Sequence, residues 1–118
     1  MREADIQNLI RLHVSERRLG VLFRANVGEA WTGDSVEHNP DGSITIYRPR
    51  RLKTGLPPGF SDLFGVAAGG RAVFIEVKSP TGRLRPEQEN FLRQMAKMGA
   101  YSGVANSVED AQKIITGG

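Results

Sequence analysis

The sequence predicts an α/β domain with a mixed central β-sheet flanked by helices, in the order α-β-β-β-β-α-β-α over residues 1–118. Three observations predict it. Residues 3–19 place Ile6, Leu9, Ile10, His13 and Val14 at three- and four-residue spacing, the period of an amphipathic helix. Short runs of β formers follow, separated by Gly, Pro and Asn-rich turn signals. Two further helical stretches then enclose a short apolar strand.

The elements follow in order. Gly20 stands where the first helix needs a C-terminal cap. Val21–Val36 and Ser43–Arg48 read as strand material paired about a turn at 39–42, marked by HNPDG. The segment RPRRLKTGLPPG reads as a loop, since three prolines and two glycines oppose regular structure. Phe60–Val66 and Arg71–Lys78 are strands around AAGG, and SPTGRLR is a loop. Pro86 opens a helix where its missing N–H costs nothing, and Gly99 ends it after Met98. Ala100–Ala105 is a strand, and Ser107 caps Val108–Ile115 with Asp110 in the reciprocal position.

Composition narrows the function. A chain of 118 residues suits one domain, and 39% apolar with 25% charged residues is ordinary for a globular protein. No apolar run approaches the roughly 20 residues of a membrane span. The N-terminus MREADIQNLI lacks the apolar core of a signal peptide, so a cytoplasmic protein is expected. Without cysteine there is no disulfide or thiolate chemistry, and a metal would bind through carboxylate, histidine or carbonyl oxygen. The net charge is +3 and the pI about 9.7, part of the footprint of a nucleic-acid binder. Arg48, Arg50, Arg51 and Lys53 cluster, and Arg83 and Arg85 flank a later turn. These six are the candidate phosphate contacts, with a solvated basic loop as the plainer reading of the first four.

The chemistry centres on FIEVKSPTGRLRPEQ. Glu76 and Lys78 lie two residues apart on a strand and share a face. They are a surface ion pair or two parts of a site. If Val66 pairs with Ala72, then Phe64 opposes Phe74 and Asp62 opposes Glu76; a slip of one residue would abolish the constellation. Two opposed acids repel, a poor structural device. A divalent cation reverses that interaction, and Mg2+ takes hard oxygen ligands at roughly 2.0–2.1 Å. Lys78 then orients water or stabilises negative charge in the transition state. Gln88 shares a helix face with Phe91, Leu92 and Met95, so once buried it needs a partner. Glu3 is a first-turn acid near the sheet, favoured there by the helix dipole in any case. His13 suits a core or interface position, Trp31 and Tyr47 packing or dimer contacts or stacking on a base, and Asn26 either substrate or a strand edge.

The ordered set Glu3, Gly59-Phe60-Ser61-Asp62, Glu76-Val77-Lys78 and Gln88 resembles the PD-(D/E)XK nuclease superfamily, and within it the VRR-NUC (virus-type replication-repair nuclease) domains. The resemblance runs from Glu3 to about Gly99. It implies a restriction-endonuclease-like sheet and one nuclease domain over 1–118. It implies that Asp62, Glu76, the Val77 carbonyl and Glu3 bind Mg2+ or Mn2+, Glu3 directly or through water. Lys78 matches the catalytic lysine and Gln88 the helix glutamine that supports the site. Ser61 stands where the motif has proline. The small phage and bacterial members that the chain resembles act as homodimeric endonucleases on branched DNA. The expectation is therefore Holliday-junction resolution in DNA repair, in a bacterial or phage-infected cell. The alternatives are a non-catalytic DNA-binding module of the same fold, or a nuclease for flap or duplex DNA.

Overall fold

In the computed structural model, which describes residues 1–26 and 28–118, the elements are α1 (Glu3–Glu16), β1 (Gly20–Arg24), β2 (Glu29–Thr32), β3 (Ser35–His38), β4 (Ile44–Tyr47), β5 (Arg50–Lys53), β6 (Leu63–Ala67), β7 (Ala72–Val77), α2 (Pro86–Lys97), β8 (Tyr101–Ala105) and α3 (Val108–Thr116). They divide between two compact units, Met1–Ala25 with Pro58–Gly118, and Asn26–Pro57.

In the first unit the sheet order is β1-β6-β7-β8, antiparallel except for the parallel pair β7–β8. A parallel neighbour requires a crossover, and α2 lies on that connection. Because strand side chains alternate, the sheet has two unlike faces. One is aliphatic. Leu22, Leu63, Val73, Ile75, Val77 and Ala105 pack there with Ile6, Ile10 and Val14 of α1 and Ala111 and Ile115 of α3. The other is aromatic, and all five phenylalanines form one seam across it. Phe23 meets Phe64 at 5.9 Å between ring centroids, Phe60 meets Phe64 at 5.5 Å and Phe74 at 5.9 Å, and Phe91 of α2 meets Phe60 at 4.7 Å and Phe74 at 5.4 Å. Three of these contacts are edge-to-face, the arrangement the ring quadrupole favours. The expected cap of α3 is present: the Ser107 side chain accepts from the Asp110 N–H at 3.1 Å, and Asp110 Oδ2 accepts from the Asn106 N–H at 3.1 Å.

The second unit is one long hairpin. β2 pairs with β5 and β3 with β4, both antiparallel. Thr32 opposes Arg50 and Ser35 opposes Tyr47, so the two ladders share one register across the gap between them. The Asp34 N–H donates to the Tyr47 carbonyl at 2.9 Å within that gap. The turn expected at 39–42 is present: the Asn39 N–H donates to the Ser43 carbonyl, and Asp41 Oδ1 accepts from the Ser43 N–H at 2.9 Å and hydroxyl at 2.6 Å. None of the described residues of this unit is buried.

Two expectations are corrected. The segment 48–59 is not all loop, because Arg50–Lys53 is strand β5. Pro49 precedes it and Gly55, Pro57 and Pro58 follow it, so the breakers bracket the strand without interrupting it. Val21–Val36 is not one strand paired with Ser43–Arg48. It divides into β1, which joins β6, β2, which joins β5, and β3, which alone keeps β4 as partner. Val27, within that stretch, lies outside the described residues. Seven strands therefore precede α2 where four were expected.

Candidate active site

β6 and β7 pair with Val66 opposite Ala72, Phe64 opposite Phe74 and Leu63 opposite Ile75. That is the register read from the sequence, and one step further Asp62 falls opposite Glu76. Asp62 is fastened twice. Its carbonyl accepts from the Ala25 N–H at 2.9 Å, and its Oδ2 accepts from the Val77 N–H at 2.9 Å. Glu76 is 1% exposed, and its Oε2 is a buried oxygen with no hydrogen-bond partner among the described residues. Burial above all, then the hydrogen bond and charge of Asp62 and more weakly the charge of Glu3, push the Glu76 pKa up to about 9; Lys78 opposes the rise. At neutral pH Glu76 is therefore the protonated carboxylic acid beside Asp62.

The neighbouring residues are set by backbone contacts. The Lys78 N–H donates to the Ala105 carbonyl at 3.1 Å, which extends the β7–β8 ladder beneath the lysine. Glu3 Oε1 accepts from the Ser79 N–H at 3.4 Å, tying the first turn of α1 to the loop after Lys78. Gln88 is buried, and its Oε1 accepts from the Arg85 N–H at 2.9 Å. The polar group expected on the apolar face thus finds its partner in the start of its own helix. Gly59 is buried at φ +88°, and a Cβ there would collide with the Glu87 carbonyl. Only glycine lets the segment leading to Asp62 cross this close to the first turn of α2. Ser61, in the motif's proline position, is fully buried and donates to the Leu63 carbonyl at 2.9 Å.

The structure thus brings Asp62, Glu76 and Lys78 together, with Glu3 and Gln88 on the adjoining helix starts. The backbone donors of Val77 and Ser79 and the aromatic seam were not read from the sequence; main-chain contacts leave no residue-type signal. Arg83 and Arg85 are exposed, with Arg85 Nε 3.5 Å from Glu87. In the hairpin unit, Arg48 and Arg50 lie 3.7 and 2.7 Å from Asp34, and Arg51 and Lys53 lie 3.4 and 4.0 Å from Glu29. Arg51 also stacks over Trp31, and the Tyr47 hydroxyl donates to Glu37 at 3.0 Å. His13 pairs with Gln112 at 2.7 Å, an interface role between α1 and α3. Asn26 is exposed.

Among the described residues, no three acid or histidine side chains gather as a metal-holding group. Asp62 and Glu76 lie close enough for the hydrogen bond and charge of the first to act on the second. They nevertheless fit a hard divalent cation: a buried acid with an orphaned carboxyl oxygen, beside a second carboxylate, is a site that a cation completes by displacing a proton.

A mixed sheet flanked by helices, with two opposed acids and a lysine on adjacent strands, defines a domain of the restriction-endonuclease-like fold. The family model described as the VRR-NUC domain matches residues 2–109, and the chain belongs to that family. It is accordingly a nuclease domain that acts on DNA. No curated protein matches the chain. No helix among the described residues is long and apolar enough to cross a membrane.

Proposed function

We propose that the protein is a divalent-metal-dependent endonuclease that hydrolyses phosphodiester bonds in branched DNA, with a four-way junction as its substrate and a homodimer as its working form. The observation that carries this reading is the buried, unpartnered Oε2 of Glu76, whose side chain lies beside Asp62. Asp62, Glu76 and the Val77 carbonyl would hold Mg2+ or Mn2+, with Glu3 reaching it through water. When bound, that cation supplies Lewis acidity beside the scissile phosphate. The Val77 N–H orients Asp62. Lys78 brings a positive charge to the same strand face, where negative charge builds during attack on phosphorus. Gln88 holds the start of α2, and Arg83 and Arg85 give phosphate contacts that position DNA without reading its sequence. The junction and the homodimer rest on the family resemblance and on symmetry, since a two-fold substrate calls for two related sites. Junction repair in the cytoplasm of a bacterial or phage-infected cell is the matching role.

The test is cleavage of junction, flap, duplex and single-stranded DNA at equal salt with Mg2+ or Mn2+. Junction cleavage is expected, with a loss of at least about 100-fold in Asp62→Asn and in Lys78→Ala. Faster cleavage of flap or duplex would replace the junction as substrate. Binding without cleavage under either ion would make the chain a DNA-binding module.

A further inference from the structure

The β2–β5 ladder has two unlike faces. Its pairs Glu29–Lys53 and Trp31–Arg51 share one face, and Ala30, Thr32, Arg50 and Leu52 share the other. On the first face the contacts run in series. The Arg51 guanidinium carbon lies 5.6 Å from the centre of the Trp31 ring. Arg51 also lies 3.4 Å from Glu29, and Glu29 lies 4.0 Å from Lys53. The indole is thus braced by a cation that an acid holds in place. Yet Trp31 is 57% exposed. An indole is among the largest apolar surfaces a side chain offers, and leaving it open forfeits the gain from burying it. The brace fixes the ring without covering it, which cuts the cost of receiving a flat ligand. Two cations stand on this face against one acid, so the ligand favoured here carries negative charge beside its ring.

We infer that Trp31 is a stacking platform for an unpaired nucleobase of the DNA substrate, with Arg51 and Lys53 beside it for the adjoining phosphates. The inference rests on the nuclease reading and narrows its substrate to DNA that carries unpaired bases. An aromatic ring flanked by cations is the combination that holds single strands, because every base has a π face and every linkage a charge. In a duplex the base faces are covered by their neighbours, and a ring reaches one only after the base leaves the stack. Trp31 therefore adds to the binding of unpaired DNA and not to that of duplex. An apolar protein surface fits this face less well. Ala30 and Leu52 stand on the opposite face, and the side chains that share a face with Trp31 in this ladder are all charged. Stacking also does what phosphate contacts cannot: it separates unpaired from paired DNA without reading sequence.

Trp31 is the only tryptophan of the chain, so tryptophan emission reports this ring alone. The full chain is titrated in chelator, where cleavage is blocked, with an oligothymidylate single strand of about 15 nucleotides and with a duplex of equal length at equal salt. The single strand is expected to quench the emission, and the duplex to leave it nearly unchanged. Fluorescence anisotropy of labelled DNA gives the affinities of variants. Trp31→Ala should bind the single strand about tenfold more weakly and the duplex as the wild type does. Trp31→Phe, which keeps an aromatic face, should recover most of the loss. A bound single strand that leaves the emission unchanged would overturn the platform, as would a Trp31→Ala variant with undiminished affinity or one that loses duplex binding equally. Emission that shifts with protein concentration in the absence of DNA would overturn it too, by placing the ring in a contact between copies. Cleavage with Mg2+ or Mn2+ separates this result from the nuclease reading. Cutting without quenching sinks the platform alone, and quenching without cutting leaves the platform on a DNA-binding module.

Discussion

Glu76 concentrates the residue-scale physics. An ordinary glutamate has a pKa of 4.5, and in the folded chain this one is pushed up to about 9. Between those values the native state holds a proton that the unfolded state has released. The stabilisation from Glu76 is therefore complete below about pH 4.5 and is lost as pH climbs towards 9, at up to about 1.4 kcal/mol per pH unit. Thermal melts in chelator from pH 5 to about 9 should show this decline, and Glu76→Gln should flatten it. An unchanged slope in the variant would place the titration elsewhere. Added Mg2+ should protect the wild type most at the alkaline end, where cation and proton no longer compete. The sequence disclosed this pair because opposed acids on neighbouring strands have no structural purpose. It did not disclose Oε2 as an orphan, because the burial of a single atom leaves no residue-type signal.

At the scale of elements, the site depends on α2 being held against the approach to Asp62, and Gly59 permits the contact. Gly59→Ala should cost about 1–3 kcal/mol through its left-handed φ and the collision with Glu87. Denaturant melts measure that cost, and cleavage should fall more than the melts alone explain, because the start of α2 is displaced. Ser107→Ala is the contrast: it removes the α3 cap at about 1 kcal/mol and should leave the cleavage rate of folded protein unchanged. The β6–β7 register was legible because a short glycine turn and strict alternation leave few pairings open. β5 was not, because its four residues are all exposed and show no apolar alternation. β1 was misassigned because its partner comes after the whole hairpin, and local turn signals identify only near neighbours.

For the whole molecule, charge is distributed unevenly between the units. Asn26–Pro57 holds four acids and four bases, so the full excess of +3 belongs to the other unit, which carries the site. Replacing Arg83 and Arg85 with alanine should therefore reduce the salt slope of DNA binding by about 2, at close to one counterion per phosphate contact. An unchanged slope, measured from about 50 to 200 mM salt, would remove both from the DNA surface. The strand that carries Glu76 has a further property. β7 is paired on both sides, and Val73, Ile75 and Val77 have no solvent exposure. Amides in such a strand exchange with solvent only when the whole sheet opens. The proposed reaction centre thus lies in the last part of the protein to come apart. Fraying at the C-terminal end should leave cutting power intact, and heat inactivation should follow deuterium uptake in β7 more closely than any earlier loosening.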